Sequence, residues 1–125
     1  MIHLDTSFLI RALVPSSRAD THLRKWLRSG DEVAMSSIAW TEFLCGPVGE
    51  PEIEAVGAIL GGIAPYTAAD SELTARLFNS SGRRRGTLAD CMMAAVAIRA
   101  GASLATTNPR DFERLQPEGL KVVAA

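Results

Sequence analysis

At 125 residues, 47% apolar and 22% charged, the chain has the length and composition of one folded domain with one core, and not of a disordered segment. A net charge of −1 and a pI of about 6.1 argue against a generic electrostatic binder of nucleic acid, so any polyanion must be met by a local basic patch or through a metal ion. The N-terminus lacks a basic region followed by an apolar stretch, and no apolar run reaches membrane-spanning length, so neither a signal peptide nor a membrane span is expected.

The chain opens "MIHLDTSFLI". Residues 2–5 read as a buried strand, followed by a short helix near 7–13 that Pro15 stops. A second helix spans 20–29, with Asp20 as N-cap and Gly30 as its stop. "EVAM" at 32–35 is a second strand. "SS" at 36–37 caps a helix that runs toward Gly46. Helix 51–60 begins with Pro51 in its first turn, and 63–66 form a third strand. Helix 69–80 leads to a basic loop, "SGRRRG", at 81–86. "TLADCMMAAVAIRA", 87–100, is apolar almost all round and so is a helix buried on most faces. "ASLAT" at 102–106 is a fourth strand, "NPRDFERL" at 108–115 a turn and short helix, and "LKVV" at 120–123 a last strand. Strands alternating with helices specify an α/β fold, a mainly parallel sheet covered by helices on both faces.

In such sheets ligands bind beyond the carboxyl ends of the strands. Asp5 stands there, at the end of the first strand. Glu42 lies one to two helical turns after the second strand, Asp90 opens the buried helix, and Asp111 follows the fourth strand by a short turn. Each has a purely structural alternative. Asp5 could cap the first helix, and Glu42 could occupy an exposed stripe. Thr87 and Asp90 have capping-box spacing, and Asp111 could be a solvated turn residue. Their conjunction favours function. Two carboxylates about 5 Å apart repel by roughly 3 kcal/mol at an effective dielectric near 20, which a domain would not retain for stability. A hard divalent cation such as Mg²⁺ or Mn²⁺ relieves that repulsion and prefers oxygen ligands. Such a site suits phosphate chemistry. No Walker motif or GxGxxG is present, so nucleotide cradling is not indicated.

Four segments, "IHLDTSFLI", "SSIAWTEFLCG", "TLADCMMAAVA" and "LATTNPRDFERL", resemble in order the signature segments of PIN-domain ribonucleases. The closest likeness is to VapC-type toxins of toxin–antitoxin pairs. The resemblance covers the full chain and implies one PIN-like domain, residues 1–125, with a three-layer α/β fold. It implies a metal-dependent RNA endonuclease that uses Mg²⁺ or Mn²⁺, with a VapB-like antitoxin as partner. A homodimer and a cytoplasmic location also follow. Carried over residue by residue, Asp5, Glu42, Asp90 and Asp111 match the acidic positions that hold the metal. Thr6, Ser7, Thr106 and Asn108 match supporting polar groups, and Asn108 stands where some relatives carry another acid.

Arg83, Arg84 and Arg85 precede the Asp90 helix as a solvated run, as a rim contacting RNA phosphates, or as a dock for an acidic antitoxin segment; Arg110 and Arg114 could extend the rim. His3, His22, Trp26, Trp40, Phe43 and Met92 read as packing residues. Cys45 and Cys91 have no metal-site spacing and lie in apolar helical patterns, which predicts buried free thiols. Two other functions compete. One is a catalytically weak or inactive PIN-like module that binds RNA or protein. The other is a phosphotransfer site with Asp5 as nucleophile, against which stands Ser7, where that chemistry needs a second Asp.

Overall fold

The structure, a computed structural model, describes residues 1–124. Five strands form one sheet: β1 (Ile2–Leu4), β2 (Val33–Ser36), β3 (Ile63–Ala64), β4 (Ser103–Thr106) and β5 (Lys121–Ala124). Six α-helices connect them: α1 (Thr6–Ala12), α2 (Arg18–Arg28), α3 (Ser37–Leu44), α4 (Glu50–Ile59), α5 (Ala68–Ser80) and α6 (Leu88–Ala100). Two 3₁₀ turns, Pro109–Asp111 and Glu113–Glu118, link β4 to β5.

The strand order is β3-β2-β1-β4-β5, and every pairing is parallel. The chain therefore builds outward from β1 through β2 to β3. It then returns to lay β4 on the other side of β1 and builds outward again. Crossovers between parallel strands are right-handed, so this reversal sends the connecting helices to opposite faces. The reversal lies between β1 and β4, where the connections leave on opposite sides and open a crevice.

The core is apolar and close-packed. Phe8, Leu9, Met35, Phe43, Val56, Leu77 and Leu104 are fully buried. Strand β2 is buried at all four residues, as a central parallel strand requires. Helix α6 buries a run from Met93 to Ala97, mostly alanine. The small side chains let it lie close against α5 and the sheet. The imidazole of His3 is also interior, and burial holds its pKa below the usual range, so it packs as a neutral ring.

One ion pair ties α5 to α6. Asp70 is wholly buried, and its Oδ1 accepts from Arg99 Nε at 2.6 Å. Arg99 also donates to the Pro65 carbonyl at 3.0 Å. The other carboxylate oxygen of Asp70 accepts from the Thr67 amide in a capping box. The first turn of α5 and the last turn of α6 are thereby held together.

Several local expectations are corrected. Ser17, not Asp20, caps α2: its Oγ accepts from the Asp20 amide at 3.0 Å. Asp20 sits a turn in, where its carboxylate accepts from the Ser16 amide at 3.0 Å and pairs with Arg24. Strand β3 ends at Ala64 because Pro65 cannot donate to the ladder. The Thr87–Asp90 capping box does not form, since the Thr87 hydroxyl donates instead to the Arg84 carbonyl at 2.7 Å. Of the two free thiols Cys91 is buried, but Cys45 is exposed, because α3 stops at Leu44 and leaves it on the cap.

Candidate active site

The candidate site assembles from β1, β4 and the helices that open beside them. Strand β1 ends at Leu4 and Asp5 caps α1. Its Oδ1 accepts from the Phe8 amide at 2.7 Å and from the Ser7 hydroxyl at 2.9 Å. The carboxylate is buried, with 3% of the residue exposed. Burial raises its pKa, and the charge of Glu42 adds to the rise; hydrogen bonds from Thr106, Phe8 and Ser7 oppose it. Asp5 is therefore both a helix cap and a desolvated charge at the crevice.

Thr6 opens α1 and reaches α3, where its Oγ1 lies 2.8 Å from Glu42 Oε1 and donates to it. Glu42 is an exposed residue of α3, yet this bond draws its carboxylate to the start of α1. Ser7 Oγ also accepts from Thr107 Oγ1 at 3.1 Å, a link to the end of β4. The Asn108 amide donates to Thr106 Oγ1 at 2.9 Å, which fixes the turn that leads to Asp111. Asn108 thus enters through its backbone. Thr107 was not among the residues singled out in the sequence, although its neighbours Thr106 and Asn108 were.

Asp90 stands in the first turn of α6, half-buried. Its pKa is pushed up to about 6. Burial is the main cause; the charges of Asp111, Asp5 and Glu42 follow, and Arg114 opposes them. The charges of the other three acidic residues singled out in the sequence, drawn from positions as far apart as 5 and 111, thus reach Asp90. Asp111 belongs to the first 3₁₀ turn and is exposed. Arg114, in the second 3₁₀ turn, has its Nη1 buried without a hydrogen-bond partner among the described residues. It is the cation nearest the cluster in effect.

The donor chemistry fits a hard divalent cation. All the donors are carboxylate oxygens, and the charges of Asp111, Asp5 and Glu42 add to burial in raising Asp90, a repulsion that a cation would relieve. As the side chains stand, no three His, Cys, Asp or Glu residues meet at ligating distance among the described residues. The carboxylates share a field rather than a closed coordination shell. The Phe8 amide and the Ser7 hydroxyl both engage Oδ1 of Asp5, which fixes the carboxylate at the start of α1.

Comparison with known proteins agrees with the geometry. The PIN domain family model matches residues 2–116. No curated protein matches the chain in sequence. Among solved structures, VapBC2 from Rickettsia felis bound to a promoter DNA fragment is similar at a TM-score of 0.76 and 19% identity, covering 100% of this chain and 99% of that one. DNA-bound VapBC from Salmonella typhimurium gives 0.74 and 23%, over 98% and 96%. VapC20 of Mycobacterium tuberculosis, a sarcin-ricin loop cleaving toxin, gives 0.60 and 20%, over 96% of each chain. With the parallel α/β sheet, the acidic residues that follow its strands and a family match over nearly the whole length, the chain belongs to the PIN domain family.

Proposed function

We propose that this chain is a divalent-cation-dependent endoribonuclease, the toxic member of a toxin–antitoxin pair, and that it hydrolyses RNA phosphodiester bonds. What supports this reading is the placement of Asp5, Glu42, Asp90 and Asp111 just after the carboxyl ends of the strands or at the start of α6, where the charges of the other three add to burial in raising Asp90 to about 6. Asp5 and Asp90 would hold Mg²⁺ or Mn²⁺, with Glu42 and Asp111 completing the set. When bound, such a cation neutralises charge on a phosphate oxygen and acidifies a water. The chain's own polar residues prepare the ligands. Ser7 and the Phe8 amide fix Asp5, Thr6 holds Glu42 toward it, and the Thr106–Asn108 turn sets Asp111.

The similar structures support the biological setting. Several are toxin–antitoxin complexes, and one toxin cleaves the sarcin-ricin loop. By this reading residues 1–125 work as one domain and form a homodimer. A VapB-like antitoxin masks the crevice, and the setting is the cytoplasm, where the two unpaired cysteines stay reduced. No helix among the described residues is long and apolar enough to cross a membrane.

Incubation of a panel of cellular RNAs with the protein in Mn²⁺, Mg²⁺ or EDTA tests the activity. The wild type should cut with a divalent ion and not in EDTA. Asp5→Asn should fold and not cut. A wild type that binds RNA with either ion and never cuts it would make the chain a binding module instead.

A further inference from the structure

An acidic crevice on a chain of net charge −1 repels the polyanion it is read as cutting. Something at its rim must attract phosphates. The loop between α5 and α6 is placed for this. It leads directly into the turn of α6 that carries Asp90, so Arg84 and Arg85 precede that carboxylate by six and five residues.

The three arginines of this loop are not equivalent. Arg83 is tied down. Its guanidinium donates to Asn79 Oδ1, lies 5.8 Å from the centre of the Phe78 ring, and its amide donates to the Phe78 carbonyl at 2.9 Å. Its φ of 53° is left-handed, between Gly82 at 99° and Gly86 at 84°. The loop is therefore a set turn, and Arg83 holds it on the end of α5. Arg84 contributes its carbonyl, which accepts from both the amide and the hydroxyl of Thr87 and joins the loop to α6. The side chains of Arg84 and Arg85 are exposed, and neither has an ion-pair or hydrogen-bond partner among the described residues. Arg24, by contrast, is paired with Asp20 at 2.9 Å, and Arg99 with Asp70.

Resting on the ribonuclease reading, we propose that Arg84 and Arg85 bind two phosphates of the RNA strand entering the crevice, while Arg83 is the brace that presents them. Guanidinium groups suit phosphate oxygens because their forked N–H donors match the anion. The contacts carry no base information, so they position any single strand near the carboxylates.

Binding of a fluorescein-labelled single-stranded RNA, measured by anisotropy in Ca²⁺ from 50 to 200 mM KCl, tests this. Each phosphate contact to a single strand contributes a slope of about 0.7 to log K against log salt, so Arg84→Ala/Arg85→Ala should flatten the slope by about 1.4. The wild type should then lose about sevenfold more affinity than the double variant across that range. Arg24→Ala, whose charge Asp20 already neutralises, should leave the slope unchanged. A double variant with the wild-type slope, in a protein that still cuts RNA with Mn²⁺, would overturn the arginine assignment alone. Loss of binding to a poly-glutamate peptide with no change in the RNA slope would also overturn it, and would give the loop to an acidic protein partner. A wild type that neither binds nor cuts RNA would overturn the ribonuclease reading and this inference with it.

Discussion

Replacing Asp90 with Asn should stabilise the metal-free protein at neutral pH. The folded carboxyl titrates near 6 against 3.8 for an unperturbed aspartate. The folded state thus binds the proton more tightly than the unfolded chain. The sign follows from linkage: between about 4 and 6 the folded state holds more protons, so stability falls as pH rises through this window. Above it, the ionised side chain costs the full difference. A gap of about two pH units, at about 1.36 kcal/mol each, bounds this cost near 3 kcal/mol. Asp90 is partly in solvent, and screening reduces the figure to about 1–2 kcal/mol. An acid in the first turn of a helix returns about 0.3–1 kcal/mol through the helix dipole, which Asn forfeits in part. The net expectation is a variant about 1 kcal/mol more stable than wild type at pH 7.5 and equal to it near pH 4. Urea melts in EDTA at both pH values, at one protein concentration and followed by the fluorescence of Trp26 and Trp40, give the comparison. A variant less stable than wild type at pH 7.5, or a difference that does not change with pH, would refute the charge-cluster argument and leave Asp90 as a helix-terminal residue.

The same cluster should respond to metal. A cation that binds only the folded state adds about 2.7 kcal/mol at a hundredfold excess over its Kd, so Mn²⁺ should raise the melting temperature of wild type and do so much less for Asp90→Asn. At position 5 the cap and the charge can be separated. Asn keeps an acceptor for the Phe8 amide, whereas Ala removes it, so in EDTA Asp5→Ala should be less stable than Asp5→Asn by about 0.5–2 kcal/mol; equal melts would show that the 2.7 Å bond contributes nothing. Thr6→Val should slow Mn²⁺-dependent cleavage without unfolding the chain, because Glu42 loses the hydroxyl that directs it; wild-type rates would remove Thr6 from the site. Arg99→Ala should lower the thermal midpoint more than Arg24→Ala, because Asp70 is wholly buried and left unpaired while Asp20 remains in contact with water.

What the sequence determined by itself was local. Alternation, glycine stops and serine caps set five strands and six helices in order, because those signals act within a few residues. The segments around Asp5, Glu42, Asp90 and Asp111 also carried the family, since each motif is contiguous. Competition between neighbours was less legible. Whether Ser17 or Asp20 caps α2, and whether the Thr87 hydroxyl turns to Asp90 or to the Arg84 carbonyl, depends on loop geometry that spacing does not encode. Strand order lay wholly outside the local pattern. Only the parallel pairing of β1 with both β2 and β4 creates the switch point. That point brings the acids of positions 5, 42, 90 and 111 into one field. The bond from Thr107 to Ser7 spans 100 residues, and the buried pair Asp70–Arg99 spans 29. Neither has a sequence signature, because a polar side chain is committed to a partner only once packing has removed water from around it.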